Sequence, residues 1–246
     1  MTCQLDDLLA EIRACRVCRD TSARRPLPHE PRPVLRAAAS ARIAVCGQAP
    51  GVRVHASGVP FTDPSGDRLR AWMGVTPEEF YDSARIAILP MGFCFPGLDA
   101  AGGDLPPRSE CAPLWRERVM AGLPHLELLI LAGVYAQRWH LGSGGGRVTA
   151  TVQAWRHWFE AGPPRRLPLP HPSWRNNAWL RANPWFEAEV LPALRREVRR
   201  LLGPSPDQAA TVATVPASAQ SAPGATPSQR LRSACASRSS RRKSRA

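Results

Sequence analysis

The sequence predicts an α/β protein built on a parallel β-sheet that is covered by helices on both faces. Four short apolar runs have the length and composition of buried strands, and they lie at residues 42–46, 85–89, 126–132 and 166–169. Each run ends in a loop rich in Gly, Pro, Ser or His, and helical patterns separate the runs. Because parallel strands place their carboxyl ends at one edge of a sheet, we expect the functional groups to lie in those loops.

Helical periodicity occupies the segments around these runs. In an N-terminal segment that leads into Cys15 and Cys18, apolar residues recur at helical spacing at Leu5, Leu8, Leu9 and Ile12. A proline-rich connection follows at 26–33. The remaining helical patterns lie at 67–73, 112–121, 153–159 and 184–202.

The charge balance favours a polyanionic partner. The chain has 33 Lys and Arg residues against 20 Asp and Glu, a formal net charge of +13, and phosphate neutralisation supplies much of the affinity for nucleic acids. Lys243 is the only lysine, however, and a GC-rich genome produces such an arginine bias without any functional demand. Charge alone therefore leaves nucleic-acid binding open.

The composition divides the chain into one domain and a tail. At 246 residues and 43% hydrophobic content the chain can bury one good-sized core, which we assign to residues 1–203. Residues 204–246 are dominated by Ala, Pro, Ser, Thr and Gln and end in a basic cluster. They contain too little apolar surface to offset the entropy of ordering, so we expect disorder. A solvated tail is the simpler interpretation, and a DNA-scanning arm is the alternative.

No segment predicts export or membrane insertion. The chain contains no run of about 18 apolar residues, which a membrane-spanning helix requires. Asp6 and Asp7 lie near the N-terminus, where a signal peptide would carry positive charge. We therefore expect a cytoplasmic protein with no membrane association.

The seven cysteines favour metal ligation or buried thiols over a disulfide framework, since the chain has no secretory signal. Cys15 and Cys18 form a CxxC pair, and Cys94 and Cys111 follow in loops rich in Gly and Pro. A CxxC pair with two distant thiolates can hold zinc or an iron–sulfur cluster, and the spacing does not choose between them. Four unrelated buried thiols are the alternative.

Two polar segments follow the first predicted strand. Residues 47–51, Gly-Gln-Ala-Pro-Gly, form a turn whose N–H groups can approach a polar ligand, although this is also a common sequence for a plain turn. In the second segment, Phe61 offers a ring that can stack on a base, Asp63 a carboxylate that can activate water, and Ser65 a hydroxyl that can hold phosphate. The alternative for Asp63 is a helix N-cap or turn aspartate.

A third polar turn, residues 169–177, follows the last predicted strand. Prolines on both sides of His171 restrict the backbone so that the imidazole can be aimed, and Ser173 can donate to a phosphate. Most single histidines are structural, but one in a rigid turn opposite two other polar turns is a better catalytic candidate. Serine hydrolysis is disfavoured because Ser173 and His171, so close on one turn, do not align easily as nucleophile and base.

Together these segments resemble the uracil-DNA glycosylase superfamily, specifically its cluster-bearing prokaryotic families 4 and 5, with family 5 the closer. The resemblance runs from about Cys15 to Leu202 and rests on residues 47–51, 58–66 and 171–176 and on four cysteines in family order. It implies a monomeric DNA-repair enzyme that flips uracil, or a related deaminated base, out of DNA and hydrolyses its N-glycosidic bond. It also implies a three-layer α/β/α sandwich around a four-stranded parallel sheet.

The resemblance also implies a cofactor and a set of functional residues. Phe61 falls on the aromatic residue that stacks on the extruded base, and His171 on the histidine that hydrogen-bonds the pyrimidine carbonyl. The family's water-activating motif falls on Gly47, Gln48 and Ala49. A structural [4Fe-4S] cluster would be held by Cys15, Cys18, Cys94 and Cys111.

The chain departs from the family pattern at two places. Family 4 carries a glutamate at the position of Gln48, and an amide cannot act as a general base. Family 5 instead uses an aspartate at the position of Asp63, which we expect to activate water or to stabilise positive charge on the sugar. Most members carry an asparagine that reads the uracil edge where this chain has Pro90 and Met91. We expect the backbone there to read the base, with uracil, hypoxanthine and xanthine as candidate substrates.

The resemblance further suggests how DNA is held and which rival functions stay open. Ser65 and Ser173 would contact phosphate, while Trp174 and Arg175 would fill the vacated base stack and contact the backbone; a packed Trp and a surface Arg are the alternative.

One rival function is that of a protein of the same fold that binds uracil or abasic DNA without turnover. A second is a zinc- or cluster-stabilised nucleotide-binding protein. The basic loop of a covalent uracil-trapping branch is absent between Cys94 and Cys111, which favours turnover.

Overall fold

A computed structural model describes residues 2–21 and 25–204. The helices are α1 (Thr2–Arg13), α2 (Val17–Asp20), α3 (Val52–Ser57), α4 (Pro64–Met73), α5 (Pro77–Tyr81), α6 (Cys111–Ala121), α7 (Val134–Leu141), α8 (Val148–Gln153), α9 (Trp155–Glu160), α10 (Asn177–Ala182) and α11 (Leu191–Leu202). The strands are β1 (Ile43–Cys46), β2 (Ile86–Ile88), β3 (Leu128–Ala132) and β4 (Arg165–Leu169). None of the described helices is long and apolar enough to cross a membrane. Residues 205–246, nearly all of the predicted tail, lie outside the described residues, so their expected disorder stays a prediction.

The four strands form one parallel sheet in the order β2–β1–β3–β4. Ile43 of β1 pairs with Ile86 of β2 and with Leu128 of β3, and Leu128 pairs in turn with Arg165 of β4. The predicted runs match these strands to within two residues at each end. Because all four strands run in one direction, the loops that follow them lie at one edge of the sheet.

Each strand contributes side chains to two separate cores. Ile43 and Val45 of β1 point into a core shared with α4 and α11, whereas Ala44 and Cys46 point into a second core shared with α1 and α6. A sheet buried on both faces selects apolar residues at every position, which is why its strands are continuous apolar runs in the sequence. The predicted three-layer α/β/α sandwich is confirmed.

The helices differ from the predicted segments in their bounds and number. Helix α4 begins at Pro64 because Asp63 caps it, and the segment predicted at 153–159 corresponds to α9, with only Gln153 belonging to α8. The segment predicted at 184–202 includes a π-helical turn, Phe186–Val190, before α11. Five other described helices were not predicted, since six residues or fewer carry too little periodicity: α2, α3, α5, α8 and α10.

Helix α7 was also not predicted, and one buried amide explains why. Gln137, on the inner face of α7, is fully buried and interrupts the apolar pattern. Its Nε2 donates to the carbonyl of Leu131 in β3 at 3.4 Å and to that of Leu169 in β4 at 2.8 Å. The amide therefore joins the ends of two strands, a role that periodicity does not reveal.

Candidate active site

One cavity lies at the carboxyl edge of the sheet, where the polar turns after the strands meet. Its wall includes residues from all three polar turns and from the loop after β2: Gly47, Gln48, Ala49, Phe61, Asp63, Ser65, Pro90, His171, Ser173 and Arg175. These residues are separated by up to 128 positions in the chain, from 47 to 175, and the parallel topology brings them together.

Phe61 is held in an unusual backbone conformation at this cavity. Its φ of +56° is the only positive value at a non-glycine residue in the described parts of the chain. The strained turn is held by its carbonyl oxygen, which accepts hydrogen bonds from Arg70 Nη1 at 3.2 Å and from Tyr81 Oη at 3.1 Å. The ring packs edge-on against Phe80 at a centroid distance of 5.9 Å. The orientation of the Phe61 ring is thus set by the surrounding protein before any ligand binds.

Two glycines allow the backbone to approach Phe61 closely. A Cβ atom at Gly66 would lie 1.8 Å from the Phe61 carbonyl oxygen, and one at Gly47 would lie 3.1 Å from the Phe61 ring. Gly66 is in the first turn of α4, so the helix can start against the Phe61 turn only without a side chain there. Both glycines therefore help to place the aromatic ring in the cavity wall.

Asp63 caps α4 and also lines the cavity. Its Oδ1 accepts from the Gly66 backbone N–H at 3.2 Å and from Ser65 Oγ at 2.6 Å. Asp63 is therefore an N-cap aspartate, as the alternative interpretation proposed, and it is also part of the cavity wall. The cap holds the carboxylate at one orientation relative to the pocket.

His171 follows β4 and faces the same cavity. Its carbonyl accepts from Asn176 Nδ2 at 2.7 Å, which closes the turn, and its side chain packs against Gly133, where a Cβ would lie 3.3 Å from the His171 Cβ. Burial lowers the pKa of the His171 imidazole, and the nearby Asp63 carboxylate opposes that shift. At neutral pH the ring is therefore neutral and can donate one N–H hydrogen bond.

The turn after β1 and the loop after β2 are joined by backbone hydrogen bonds. The Met91 and Gly92 N–H groups donate to the Gly47 carbonyl at 2.9 Å and to the Gln48 carbonyl at 3.0 Å. These N–H groups are therefore occupied, and Pro90, as a proline, has no N–H group. The expectation that the backbone of Pro90 and Met91 reads the base through N–H donors is wrong. Met91 is also buried in the second core and does not line the cavity, whereas Pro90 does.

A buried arginine supports this loop from behind. Arg116 of α6 is 1% exposed, and its guanidinium donates to the carbonyl of Leu89 at 3.0 Å and to that of Pro90 at 2.5 Å. It also lies 3.2 Å from the Met91 Sδ. Charge-assisted hydrogen bonds to two successive carbonyls hold the loop rigid at the point where it forms the cavity wall.

The rim of the cavity includes three of the four residues predicted to contact DNA, Ser65, Ser173 and Arg175; the fourth, Trp174, lies between Ser173 and Arg175 in the chain but does not line the cavity. Trp174 is 70% exposed, so the alternative of a packed tryptophan is wrong, and the Arg175 guanidinium lies 5.8 Å from the centre of its ring. Ser173 caps the 3₁₀ turn Trp174–Asn176 by accepting the Arg175 N–H at 3.3 Å. The rim thus presents an exposed aromatic ring and a cation beside the cavity mouth.

The four cysteines of the predicted metal site line a second cavity, between α1, α2 and α6: Cys15, Cys18, Cys94 and Cys111. Removal from water raises the pKa of Cys94 and of Cys111 to about 12, so both are protonated thiols at neutral pH without a bound metal. In the described residues, no group of three or more His, Cys, Asp or Glu side chains is arranged as a finished metal site. The number and type of donors nevertheless fit zinc or an iron–sulfur cluster.

Several residues of the cavity wall were not singled out by the sequence analysis, and two of them carry polar groups that can take part in chemistry. Asp104, in the loop between Cys94 and Cys111, and Tyr135, in the first turn of α7, both line the cavity. Asp104 follows two glycines, a weak sign of a shaped loop, and nothing in the sequence connects it with the turn after β1.

The cavity lies within a match to a known family. The model of a family described as the uracil DNA glycosylase superfamily matches residues 35–195, well over half of the chain. The matched range includes every residue that lines the cavity except Val34, while Cys15 and Cys18 precede it.

Proposed function

Because the chain belongs to the uracil DNA glycosylase superfamily, we propose that it hydrolyses the N-glycosidic bond of uracil in DNA, the first step of base excision repair. One observation carries the proposal: a fixed aromatic ring, a neutral imidazole and a carboxylate, from Phe61, His171 and Asp63, line one cavity at the carboxyl edge of the sheet. These are the groups that binding an extruded base and cleaving its bond to the sugar require.

The base would be bound and activated by Phe61 and His171. A flipped nucleotide leaves the DNA stack, and stacking on an aromatic ring replaces part of the lost interaction, worth about 1–3 kcal/mol. As the glycosidic bond breaks, negative charge develops on the departing base. The neutral His171 ring can donate its N–H to a base carbonyl oxygen, and this hydrogen bond strengthens as that oxygen gains charge. Turn N–H groups near Gln48 would contribute to the same stabilisation.

The sugar would be served by Asp63. Positive charge develops on the sugar ring as the base leaves, and a fixed carboxylate can stabilise that charge or orient the attacking water. The hydrogen bonds from Ser65 and Gly66 keep Asp63 in one orientation, so little reorganisation is needed during the reaction. Gln48 cannot act as a proton acceptor in place of Asp63, because an amide is not a general base.

DNA would be held at the rim. Arg175 and the hydroxyls of Ser65 and Ser173 suit phosphate contacts, and the exposed Trp174 ring suits the space that an extruded base leaves. Unstacking a nucleotide costs a few kcal/mol, least at mismatched pairs, so uracil opposite guanine is the favoured target.

The central experiment measures base excision directly. The purified protein is incubated with end-labelled oligonucleotides containing uracil, hypoxanthine or xanthine, single-stranded and double-stranded, and abasic products are cleaved with alkali. We expect strand scission at uracil, and the relative rates on the other bases define the specificity. Absence of scission on every substrate, together with a retained gel shift on uracil DNA, would instead establish a binding protein of the same fold.

We further propose that Cys15, Cys18, Cys94 and Cys111 hold a [4Fe-4S] cluster. Four thiols line one buried cavity, and binding requires each to lose its proton and turn toward a common centre. When bound, the cluster would act as a structural cross-link that joins the N-terminal helices to the loop after β2 and to α6.

Metal analysis of protein purified without oxygen tests the cluster. We expect about four iron atoms and about four sulfide ions per chain, and loss of iron in Cys111→Ser. Cys46→Ala is the matched control, because Cys46 is a buried thiol outside this cavity and its loss should leave the iron content unchanged. Zinc without iron would contradict the cluster but retain the four-thiolate site, and the absence of both metals would favour four unrelated buried thiols.

A further inference from the structure

The loop between Cys94 and Cys111 contains a tight hairpin that packs against the turn after β1. Its ends are joined by the Leu105 N–H, which donates to the Gly97 carbonyl at 3.0 Å, and by a bridge between Leu98 and Asp104. The Asp99 Oδ1 accepts the Gly103 N–H at 2.7 Å. The hairpin backbone is therefore stabilised by its own hydrogen bonds.

This hairpin also contacts the turn at 47–51 directly. The Gln48 Nε2 donates to the Leu105 carbonyl at 3.3 Å. The Asp104 Oδ2 lies 3.4 Å from the position that a Cβ at Gly51 would occupy. Both contacts place Asp104 beside the turn after β1, in the wall of the same cavity that contains Asp63 and His171.

The two cavity carboxylates differ in their hydrogen bonding. Asp63 uses Oδ1 to accept from Ser65 and Gly66, which commits that oxygen to the helix cap. Asp104 has no hydrogen bond or salt bridge from its carboxylate to any of the described residues. A carboxylate in a cavity wall with both oxygens available can accept a hydrogen bond from a water molecule.

We propose that Asp104 is a second catalytic carboxylate, which orients and deprotonates the attacking water while Asp63 stabilises positive charge on the sugar. The inference rests on the proposed glycosylase function and divides between two residues the tasks that Asp63 alone would otherwise perform. The water oxygen forms a bond to C1′ of the sugar as the glycosidic bond breaks, and the electrons of that bond leave with the base. Asp104 accepts the proton lost by the water and later releases it to solvent, and the base anion gains a proton from solvent, so the products are an abasic sugar and the free base.

The electrostatic surroundings of Asp104 suit a proton acceptor. Partial burial raises the pKa of its carboxyl above the ordinary value, the Arg175 guanidinium opposes this, and the negative charges of Asp63 and Asp99 add to the increase. A carboxylate with a raised pKa binds a proton more strongly, and general bases work best when their pKa lies closer to the working pH. Asp104, Leu105 and Pro106 are exposed to solvent, so water can reach the Asp104 carboxylate.

Single-turnover excision of uracil, with enzyme in excess over DNA, tests the proposal. We expect Asp104→Asn to lower the rate by at least about 10²-fold, because an amide of the same shape cannot accept the proton. The wild-type rate should fall on the acid side as Asp104 becomes protonated, at a pH above the ordinary aspartate range, and this decrease should be absent in Asp104→Asn. The affinity for uracil DNA should be unchanged or slightly higher, since one negative charge is removed.

Asp6→Asn is the matched control, because it removes one carboxylate from an exposed position on α1 outside the cavity. It should retain the wild-type rate and pH profile. Wild-type activity together with an Asp104→Asn rate within about threefold of it would overturn the role of Asp104 and leave the glycosylase function intact. Tighter DNA binding by Asp104→Asn without a loss of rate would also overturn the catalytic role, and it would show that the Asp104 carboxylate repels the DNA phosphates. A wild-type protein that excises no base would overturn both proposals.

Discussion

Replacement of His171 by alanine is expected to slow uracil excision by about 10²- to 10³-fold, while the affinity for uracil DNA changes little. The imidazole lies in the cavity wall in its neutral form, and its N–H would donate to a base oxygen whose negative charge grows as the bond breaks. A hydrogen bond that strengthens in the transition state contributes to the rate of the chemical step more than to substrate affinity. Single-turnover kinetics and a separate binding titration measure the two quantities.

The matched control for this prediction is His125→Ala, since His125 is an exposed imidazole far from the cavity wall. Its excision rate should stay within about twofold of wild type. An equal loss of rate and of affinity in His171→Ala would mean that His171 binds the substrate as tightly as the transition state, contrary to the proposed role.

The pH dependence gives an independent check on the protonation state of His171. Because burial lowers the pKa of His171, the ring stays neutral at pH values below the ordinary histidine pKa. Activity that depends on the neutral ring is therefore lost only when the pH falls below that ordinary value. The ratio of the wild-type rate to the His171→Ala rate should therefore change only below the ordinary histidine pKa of about 6.5. A ratio that changes near or above the ordinary histidine pKa would show that burial does not lower the pKa of the His171 ring in the functional enzyme.

Replacement of Gly66 by alanine is expected to destabilise the fold by about 3 kcal/mol and to displace Phe61. The new Cβ would lie 1.8 Å from the Phe61 carbonyl oxygen and 2.7 Å from its carbonyl carbon, so the backbone must move. That carbonyl is held by Arg70 and Tyr81, so movement would break hydrogen bonds as well as shift the ring. Thermal unfolding should show a Tm about 10 °C lower, and excision below the Tm should be at least about tenfold slower.

Gly146→Ala is the control for this substitution. Gly146 has an ordinary helical φ of −72°, and a Cβ there would have no heavy atom within 4 Å. Alanine should leave both the Tm and the excision rate close to wild type. If Gly66→Ala unfolds at the wild-type temperature and excises uracil normally, then the start of α4 shifts without affecting Phe61, and the close approach seen here has no functional role.

The predictable part of this fold comes from segments whose burial is uniform. The four strands are apolar at nearly every position because both faces of the sheet are covered, so their locations are visible in the sequence. Helix α7 was missed because its buried Gln137 serves two carbonyls of the sheet and breaks the apolar pattern. Local patterns therefore identified the long elements that are stabilised by apolar packing. They missed α7, where hydrogen bonds from a buried amide take the place of an apolar contact.

The same distinction applies to the site. Phe61, Asp63 and His171 lie in compact motifs whose residue types indicate their chemistry, and the fold brings these motifs to one cavity. Asp104 and Arg116 lie outside such motifs. Their importance depends on contacts with Gly51 and with the carbonyls of Leu89 and Pro90, which are distant in the chain.

The amino-acid sequence by itself determined the α/β class, the positions of the strands and the loops that carry polar groups, because burial and turn chemistry leave local patterns. Only the tertiary structure decided which groups are available for chemistry. It showed that the N–H groups of Met91 and Gly92 are occupied, that Asp63 is a helix cap as well as a cavity residue, and that the Asp104 carboxylate accepts no hydrogen bond from the described part of the chain. Hydrogen-bond partners and desolvation depend on atoms brought together from distant segments, and those distances are fixed only when the chain has folded.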